Sequence, residues 1–128
     1  MKLNRVPCLL SLTVLFSASV LAQNSFTVGT ATAGPGQKAT GTLDIPAGVD
    51  AATSIPVVVV RGSKPGPVLA LVSGAHGTEY ASIIALEKVI QTLDPAQVSG
   101  TVIILPLVNI ASFEQKVPHV NPVDGNFL

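Results

Sequence analysis

Residues 67–93 read PVLALVSGAHGTEYASIIALEKVIQTL and decide the fold. Residues 67–72 are apolar without alternation, which is typical of a strand buried on both faces, as in a parallel sheet. Residues 79–93 place their apolar side chains mostly on one helical face, and Pro95 stops this predicted helix. Residues 101–108 (TVIILPLV) indicate a second buried strand. The order strand, helix, strand predicts a βαβ unit with a right-handed crossover.

Upstream of this unit the sequence predicts strands and loops only. Residues 24–37 are rich in Gly, Thr and Ala and indicate a loose lead-in with one strand at 25–28. Two further strands at 39–45 and 55–61 are expected to form the antiparallel edge of a mixed sheet. One helix cannot cover both faces of a parallel sheet. We therefore expect exposed apolar surface at residues 57–60 and 102–105, and poor solubility or partner-dependent folding of the chain alone.

Charge and composition exclude two classes of protein. Seven Lys and Arg balance seven Asp and Glu among 128 residues, so the chain lacks the basic excess of a nucleic-acid-binding surface. With 48% apolar residues it is also unlike a charge-driven disordered tail. A globular protein without nucleic-acid partners is expected.

The first 22 residues predict a secretory signal peptide. Lys2 and Arg5 precede an apolar stretch from Cys8 to Val20, and Ala22 stands at a cleavage position. The stretch is shorter than the ~20 residues that span a bilayer. The sequence therefore predicts an exported protein, periplasmic or secreted, with no membrane partner after cleavage. The mature chain would contain no cysteine, so disulfides would not stabilise it.

The residue types that can carry chemistry follow the first strand of the βαβ unit. Ligands bind at the carboxyl ends of strands in open α/β sheets, and His76 and Glu79 lie in this loop. Imidazole nitrogen and carboxylate oxygen both bind Zn²⁺. The glycines beside His76 permit a sharp turn, and Thr78 is a plausible helix N-cap. A solvated loop histidine and a dipole-stabilising glutamate would give the same spacing, and that alternative stays open.

Three segments resemble the succinylglutamate desuccinylase/aspartoacylase family, relatives of the zinc carboxypeptidases. They are residues 67–86, residues 101–113 (TVIILPLVNIASF) and residues 121–128 (NPVDGNFL). The H-G-x-E motif of that family supplies two zinc ligands. The resemblance therefore implies His76 and Glu79 as metal ligands and Zn²⁺ as cofactor. It also implies a partial three-layer α/β/α zinc-carboxypeptidase-like fold, with a mixed sheet and one βαβ unit.

The resemblance extends to Asn109, although the family often has proline where this chain has Ile110. The family continues from D-G-x-x-L, matched from Asp124, into an Asn-Arg pair whose arginine binds substrate carboxylate. Its third zinc ligand and general base come later still. We therefore expect residues 55–128 to be the truncated N-terminal part of a catalytic domain, after a signal peptide (1–22) and a lead-in with an edge strand (23–54). No catalytic residue is assigned.

The implied function is hydrolysis of an amide (or ester) bond in a small N-acylated amino acid or peptide-like carboxylate, with the piece itself inactive. Alternatives remain. The chain could be an inactive secreted piece or a binding module without metal chemistry. A serine hydrolase built on Ser73 is disfavoured, because Leu71 stands where G-x-S-x-G needs glycine. His119 is either a third ligand or, as we expect, a solvated loop residue.

Overall fold

The computed structural model describes residues 25–127. The predicted signal peptide lies outside these residues. No helix in the described part of the chain is long and apolar enough to cross a membrane. The elements are, in order, β1 (Phe26–Val28), β2 (Ala31–Ala33), β3 (Gln37–Ile45), β4 (Thr53–Arg61), β5 (Lys64–Val72), α1 (Tyr80–Thr92), a 3₁₀ turn (Pro95–Gln97), β6 (Ser99–Leu105) and α2 (Ile110–Gln115).

Strands β3 to β6 form one mixed sheet in the order β3-β4-β6-β5. β5 and β6 are parallel and are connected through α1, so the predicted βαβ unit is confirmed. β4 is antiparallel to both β3 and β6, which confirms the antiparallel edge. The carboxyl ends of β5 and β6 consequently lie side by side at one edge of the sheet. The loop with His76 and Glu79 begins there.

Four consecutive valines of β4 supply the core on both faces of the sheet. Val57 and Val59 are 1% and 0% exposed and pack with Ala31 and Ala33 of β2. Successive side chains of a strand point to opposite faces. Accordingly the other two valines pack with Ile104 against the apolar face of α1, which contributes Leu86, Val89 and Ile90, and against Leu93 just after the helix.

The expectation of exposed apolar surface along β4 and β6 is therefore wrong. The stretch interpreted as a loose lead-in forms the antiparallel β1-β2 hairpin, which covers the face that α1 leaves open. Exposed apolar side chains lie instead on β5, where Val68, Leu69 and Val72 are each more than half exposed. β5 is an edge strand of the sheet. Poor solubility of the chain alone stays a prediction, and the exposed apolar side chains of β5 are now its expected cause.

Several element boundaries differ from the sequence prediction, and strands β3 to β6 each begin two or three residues earlier than predicted. Helix α1 begins at Tyr80 with Glu79 in the N-cap position, so the assignment of Thr78 as N-cap is wrong. The Glu79 carboxylate makes no capping hydrogen bond. β6 ends at Leu105 rather than at residue 108. The next residue is Pro106, which has no N–H to continue the ladder.

Candidate metal site

Main-chain hydrogen bonds join the loop after β5 to the segment after β6. The Ser73 N–H donates to the Leu105 carbonyl at 3.0 Å, and the Val108 N–H donates back to the Ser73 carbonyl at 3.2 Å. The Asn109 N–H donates to the Gly74 carbonyl at 3.0 Å. The path of the loop towards His76 is thus fixed by main-chain rather than side-chain groups.

Two glycines let this loop turn where a side chain would not fit. Gly74 has φ +69°, in the left-handed region that favours glycine. Gly77 lies directly against the backbone of α2, and a Cβ there would collide with main-chain atoms of Ser112 and Phe113. His76 stands between them, on a turn held on both sides.

Ser112 is a positioning residue that the sequence analysis missed. It is fully buried, and its hydroxyl accepts a hydrogen bond from the Gly77 N–H at 3.1 Å while donating one to the Val117 carbonyl at 2.6 Å. Asn109 caps α2 by accepting the Ser112 N–H at 3.0 Å, and its amide donates to the Ala75 carbonyl at 3.1 Å. The Asn-x-x-Ser spacing of an N-cap was the available sequence signal.

The Nδ1 atom of His76 is the atom of the site that points most directly to a bound metal ion. Its Nδ1 is buried and has no hydrogen-bond partner within the described residues. A buried polar atom without a partner costs free energy, on the order of 1–3 kcal/mol, so such atoms call for a specific explanation. A metal ion would satisfy this nitrogen, and the donor type fits zinc.

Glu79 lies one turn after His76, and their backbones are joined. The Glu79 N–H donates to the His76 carbonyl at 3.1 Å, and the Glu79 carbonyl accepts from both the N–H and the hydroxyl of Ser82. The side chain is exposed and makes no hydrogen bond to the described part of the chain. Residues 25–127 contain no cluster of three or more His, Cys, Asp or Glu side chains that could hold a metal ion.

The structure brings His119 to His76, where the sequence suggested a solvated loop residue. The two ring centroids are 4.7 Å apart with an interplanar angle of 74°. His119 is nevertheless exposed at its outer side, and its backbone has φ +58°. His119 is thus an exposed loop residue, as expected, and is also the aromatic neighbour of His76.

The segment that carries His119 is closed by its own hydrogen bonds. The Asn121 N–H donates to the Asn126 carbonyl at 2.9 Å, and the Gly125 N–H donates to the Asn121 carbonyl at 2.8 Å. The Asp124 carboxylate accepts the Asn126 N–H at 2.9 Å, and this bond lowers the pKa of Asp124 below its usual value. Val120 and Phe127 form an antiparallel bridge across the turn.

Ser73 has a structural role rather than a nucleophilic one. Its hydroxyl donates to the Pro106 carbonyl at 2.5 Å, which ties the ends of β5 and β6 together. Among the described residues it has no hydrogen bond with His76. A serine nucleophile must be hydrogen-bonded to its base, so the geometry gives no support to the serine-hydrolase alternative.

An open groove of about 1050 Å³ adjoins the turn. One wall is the β3-β4 connection, residues 45–53, and the other is the start of α2 with residues from the segment after it. The groove reaches Ala75, the residue before His76. Its volume is in the range of small-molecule sites.

Known proteins are similar to this chain in sequence. The family model of the succinylglutamate desuccinylase/aspartoacylase catalytic domain matches residues 65–126. An N-alpha-acetyl-L-2,4-diaminobutyric acid deacetylase from Halomonas elongata is 39% identical over 77 residues, which are 60% of this chain and 22% of that protein.

Two solved structures share the fold. A succinylglutamate desuccinylase/aspartoacylase from Rhodobacter sphaeroides is 33% identical with a TM-score of 0.60, over 70% of this chain and 28% of that one. An aspartoacylase family protein from Mesorhizobium loti is 31% identical with a TM-score of 0.64, over 73% of this chain and 29% of that one. The chain thus spans between a fifth and a third of the length of these relatives.

The fold expected from the resemblance is therefore confirmed: an α/β structure with a mixed sheet that matches the desuccinylase/aspartoacylase structures. The matched range includes the βαβ unit from the second residue of β5 onward, the turn with His76 and Glu79, and the segment with His119. By sequence over residues 65–126 and by fold, the chain is similar to the succinylglutamate desuccinylase/aspartoacylase family.

Proposed function

We propose that this chain contributes to a zinc-dependent hydrolase that cleaves the amide (or ester) bond of an N-acylated amino acid or a similar small carboxylate. The observation that carries the proposal is the buried Nδ1 of His76, which lacks a hydrogen-bond partner among the described residues, on a turn that also bears Glu79. Support for the reaction type comes from the relative in Halomonas elongata, whose name states deacetylation of an N-acetylated amino acid.

His76 and Glu79 would hold the metal through an imidazole nitrogen and a carboxylate oxygen. Bound zinc supplies Lewis acidity and lowers the pKa of its water. The other residues of the site position the turn rather than bind the metal. Ser112 and Asn109 hold the turn by hydrogen bonds to Gly77 and Ala75, so the two donors start from a fixed backbone.

The groove beside Ala75 offers room for part of a small substrate next to this turn. Its lining includes Asn109 and Asn121. The Asn109 amide already bonds Ala75 and Ser112, and the Asn121 oxygen accepts from Val123, so each side chain offers a substrate its remaining amide N–H. A carboxylate or an amide of an N-acyl amino acid is a suitable partner for such groups. We assign the groove to the substrate rather than to the metal.

A catalytic zinc site needs three protein ligands and an open position. Residues 25–127 supply two candidate donors on one turn. We therefore propose that the third ligand and the general base lie outside the described residues. We also propose that residues 1–22 direct export, so that the site works in the periplasm or outside the cell.

Calorimetric titration of the chain with Zn²⁺ tests the metal assignment. We expect wild type to bind zinc, and His76→Ala and Glu79→Ala each to weaken binding by about tenfold or more. Glu87→Ala removes a second exposed carboxylate on the same helix and should leave the affinity unchanged. Equal affinities in all four proteins would show that the turn is not the metal site.

The reaction is tested by incubating the zinc-loaded chain with N-acetyl-2,4-diaminobutyrate, with and without chelator, alone and with the remainder of a family catalytic domain supplied as a second polypeptide. Amine release is expected only in the combined, chelator-sensitive reaction. Release that persists with chelator would contradict the zinc mechanism.

A further inference from the structure

The backbone of His119 adopts an unusual conformation. Its φ of +58° is one of two positive values at non-glycine positions among the described residues, and the other is at Lys116. Histidine enters this left-handed region more readily than bulky or branched residues, but it remains uncommon there. Residues held in such conformations cluster at ligand-binding and active sites.

The left-handed turn places the His119 ring between two other rings. Towards the interior it meets His76 edge-to-face, with centroids 4.7 Å apart and planes at 74°. Towards solvent it stacks on Phe127, with centroids 6.1 Å apart and planes at 27°. Both spacings fall in the range of favourable aromatic pairs. The His119 imidazole therefore contacts a ring on two sides, although Phe127 is itself 81% exposed.

As a metal ligand, His76 would need a fixed ring orientation. A ligating histidine usually donates its second N–H to a carbonyl or carboxylate, which fixes the orientation of the ring. Neither ring nitrogen of His76 is hydrogen-bonded to the described part of the chain. Within the described residues, the ring contact of His76 is the edge-to-face contact with His119.

We propose that His119 is a positioning residue for His76. Its ring keeps the His76 imidazole in one orientation, so that Nδ1 is presented to a divalent cation without the ordering cost of an unrestrained side chain. This inference rests on the proposed function, because it takes His76 as a metal ligand. It differs from the sequence-based alternative that His119 itself binds the metal, because here the aromatic ring acts and its nitrogens do not.

Three substitutions in the 128-residue chain separate these roles. His119→Asn keeps a residue that accepts a positive φ but removes the ring. His119→Phe keeps a ring but removes both nitrogens. Lys116→Asn changes the other non-glycine residue with positive φ and serves as the control. Zinc affinity measured by calorimetry should fall by about tenfold or more in His119→Asn, as is typical when the support of a ligand is lost. It should stay within about threefold of wild type in His119→Phe and Lys116→Asn.

The NMR signals of the His76 ring protons, recorded without metal, give a second readout. The ring current of His119 displaces them in wild type, so they should shift in His119→Asn and move much less in His119→Phe. Unshifted His76 signals in His119→Asn would show that the contact is absent in solution and would overturn the proposal.

Calorimetry gives three further decisive outcomes. Wild-type zinc affinity in His119→Asn overturns positioning and leaves the metal site standing. An affinity in His119→Phe as low as in His119→Asn, with the His76 ring signals close to their wild-type positions, shows that a His119 nitrogen is needed and also overturns it. Absence of zinc binding in wild type refutes the proposed function, and the positioning role falls with it.

Discussion

The hydroxyl of Ser112 accepts a hydrogen bond from the main-chain N–H of Gly77, 35 residues earlier in the sequence, at 3.1 Å. The same hydroxyl donates to the Val117 carbonyl. One buried side chain therefore connects the turn with His76 to the segment with His119. Neither segment has a regular secondary structure that would otherwise fix its distance from the other.

Substitution of Ser112 by alanine should destabilise the protein. The Gly77 N–H and the Val117 carbonyl would lose their hydrogen-bond partner. We expect this to lower the free energy of unfolding by about 1–3 kcal/mol. Urea denaturation followed by circular dichroism measures this change. Ser63→Ala removes an exposed hydroxyl and should change the free energy of unfolding by less than about 0.5 kcal/mol. Equal effects of both substitutions would show that the Ser112 connection is not formed.

Substitution of Gly77 by alanine should be more harmful than substitution of Gly48. The new Cβ at Gly77 would overlap the backbone of Ser112 and Phe113, which cannot move without shifting α2. Gly48 lies in a loop, and a Cβ added there would have no atom within 4 Å. We expect a loss of about 1–3 kcal/mol for Gly77→Ala and little change for Gly48→Ala. Denaturation midpoints of the two variants test this directly, and a stable Gly77→Ala protein would contradict the close packing.

Truncation of Val59 tests whether the β1-β2 hairpin covers the sheet in solution. Val59 is 0% exposed and packs against that hairpin, so Val59→Ala should cost about 2 kcal/mol through lost burial and a residual cavity. Val49 is fully exposed, so Val49→Ala should leave stability unchanged. If Val59→Ala also had no effect on the denaturation midpoint, the hairpin would not be packed on the sheet.

The carboxylate of Asp124 should titrate below the usual pKa of an aspartate. The hydrogen bond from the Asn126 N–H favours the charged form, so the pKa is lower in the folded than in the unfolded chain. The stabilisation is present above the unfolded pKa, near 3.8, and is lost as the pH falls through the folded pKa. The carboxyl carbon signal of Asp124, followed by NMR during acidification, measures the midpoint. Asp124→Asn should remove this part of the pH dependence of stability, and a midpoint at or above 3.8 would contradict the hydrogen bond.

The βαβ unit could be predicted because its signals are local and long. Residues 67–72 and 101–105 are continuous apolar runs, and the helix between them repeats its apolar side chains over three turns. In an α/β sheet, a continuous apolar run fits a strand that is buried on both faces, and the helix that connects two such strands packs on one of those faces. The positions of His76 and Glu79 at the carboxyl edge followed from that topology.

The β1-β2 hairpin and the His119 contact could not be predicted in the same way. Three-residue strands such as Ala31–Ala33 carry too few residues for a periodicity, and their burial depends on valines of β4 that lie well apart from them in sequence. The contact of His119 with His76 depends on one backbone angle at His119. Nothing in residues 116–121 signals that angle, because histidine is compatible with several conformations.

The main-chain bonds between the ends of β5 and β6 also make the turn suitable for engineering. The main-chain amide and carbonyl groups of Ser73, Val108 and Asn109 fix the path of the turn. At Gly74 and Gly77 a side chain would collide with neighbouring atoms. The backbone at donor positions 76 and 79 is therefore held independently of their side chains, and a substitution at 76 also removes the ring contact with His119. Cysteine at either position would offer a softer ligand, and the preference of the turn among zinc, cobalt and copper could be retuned one residue at a time.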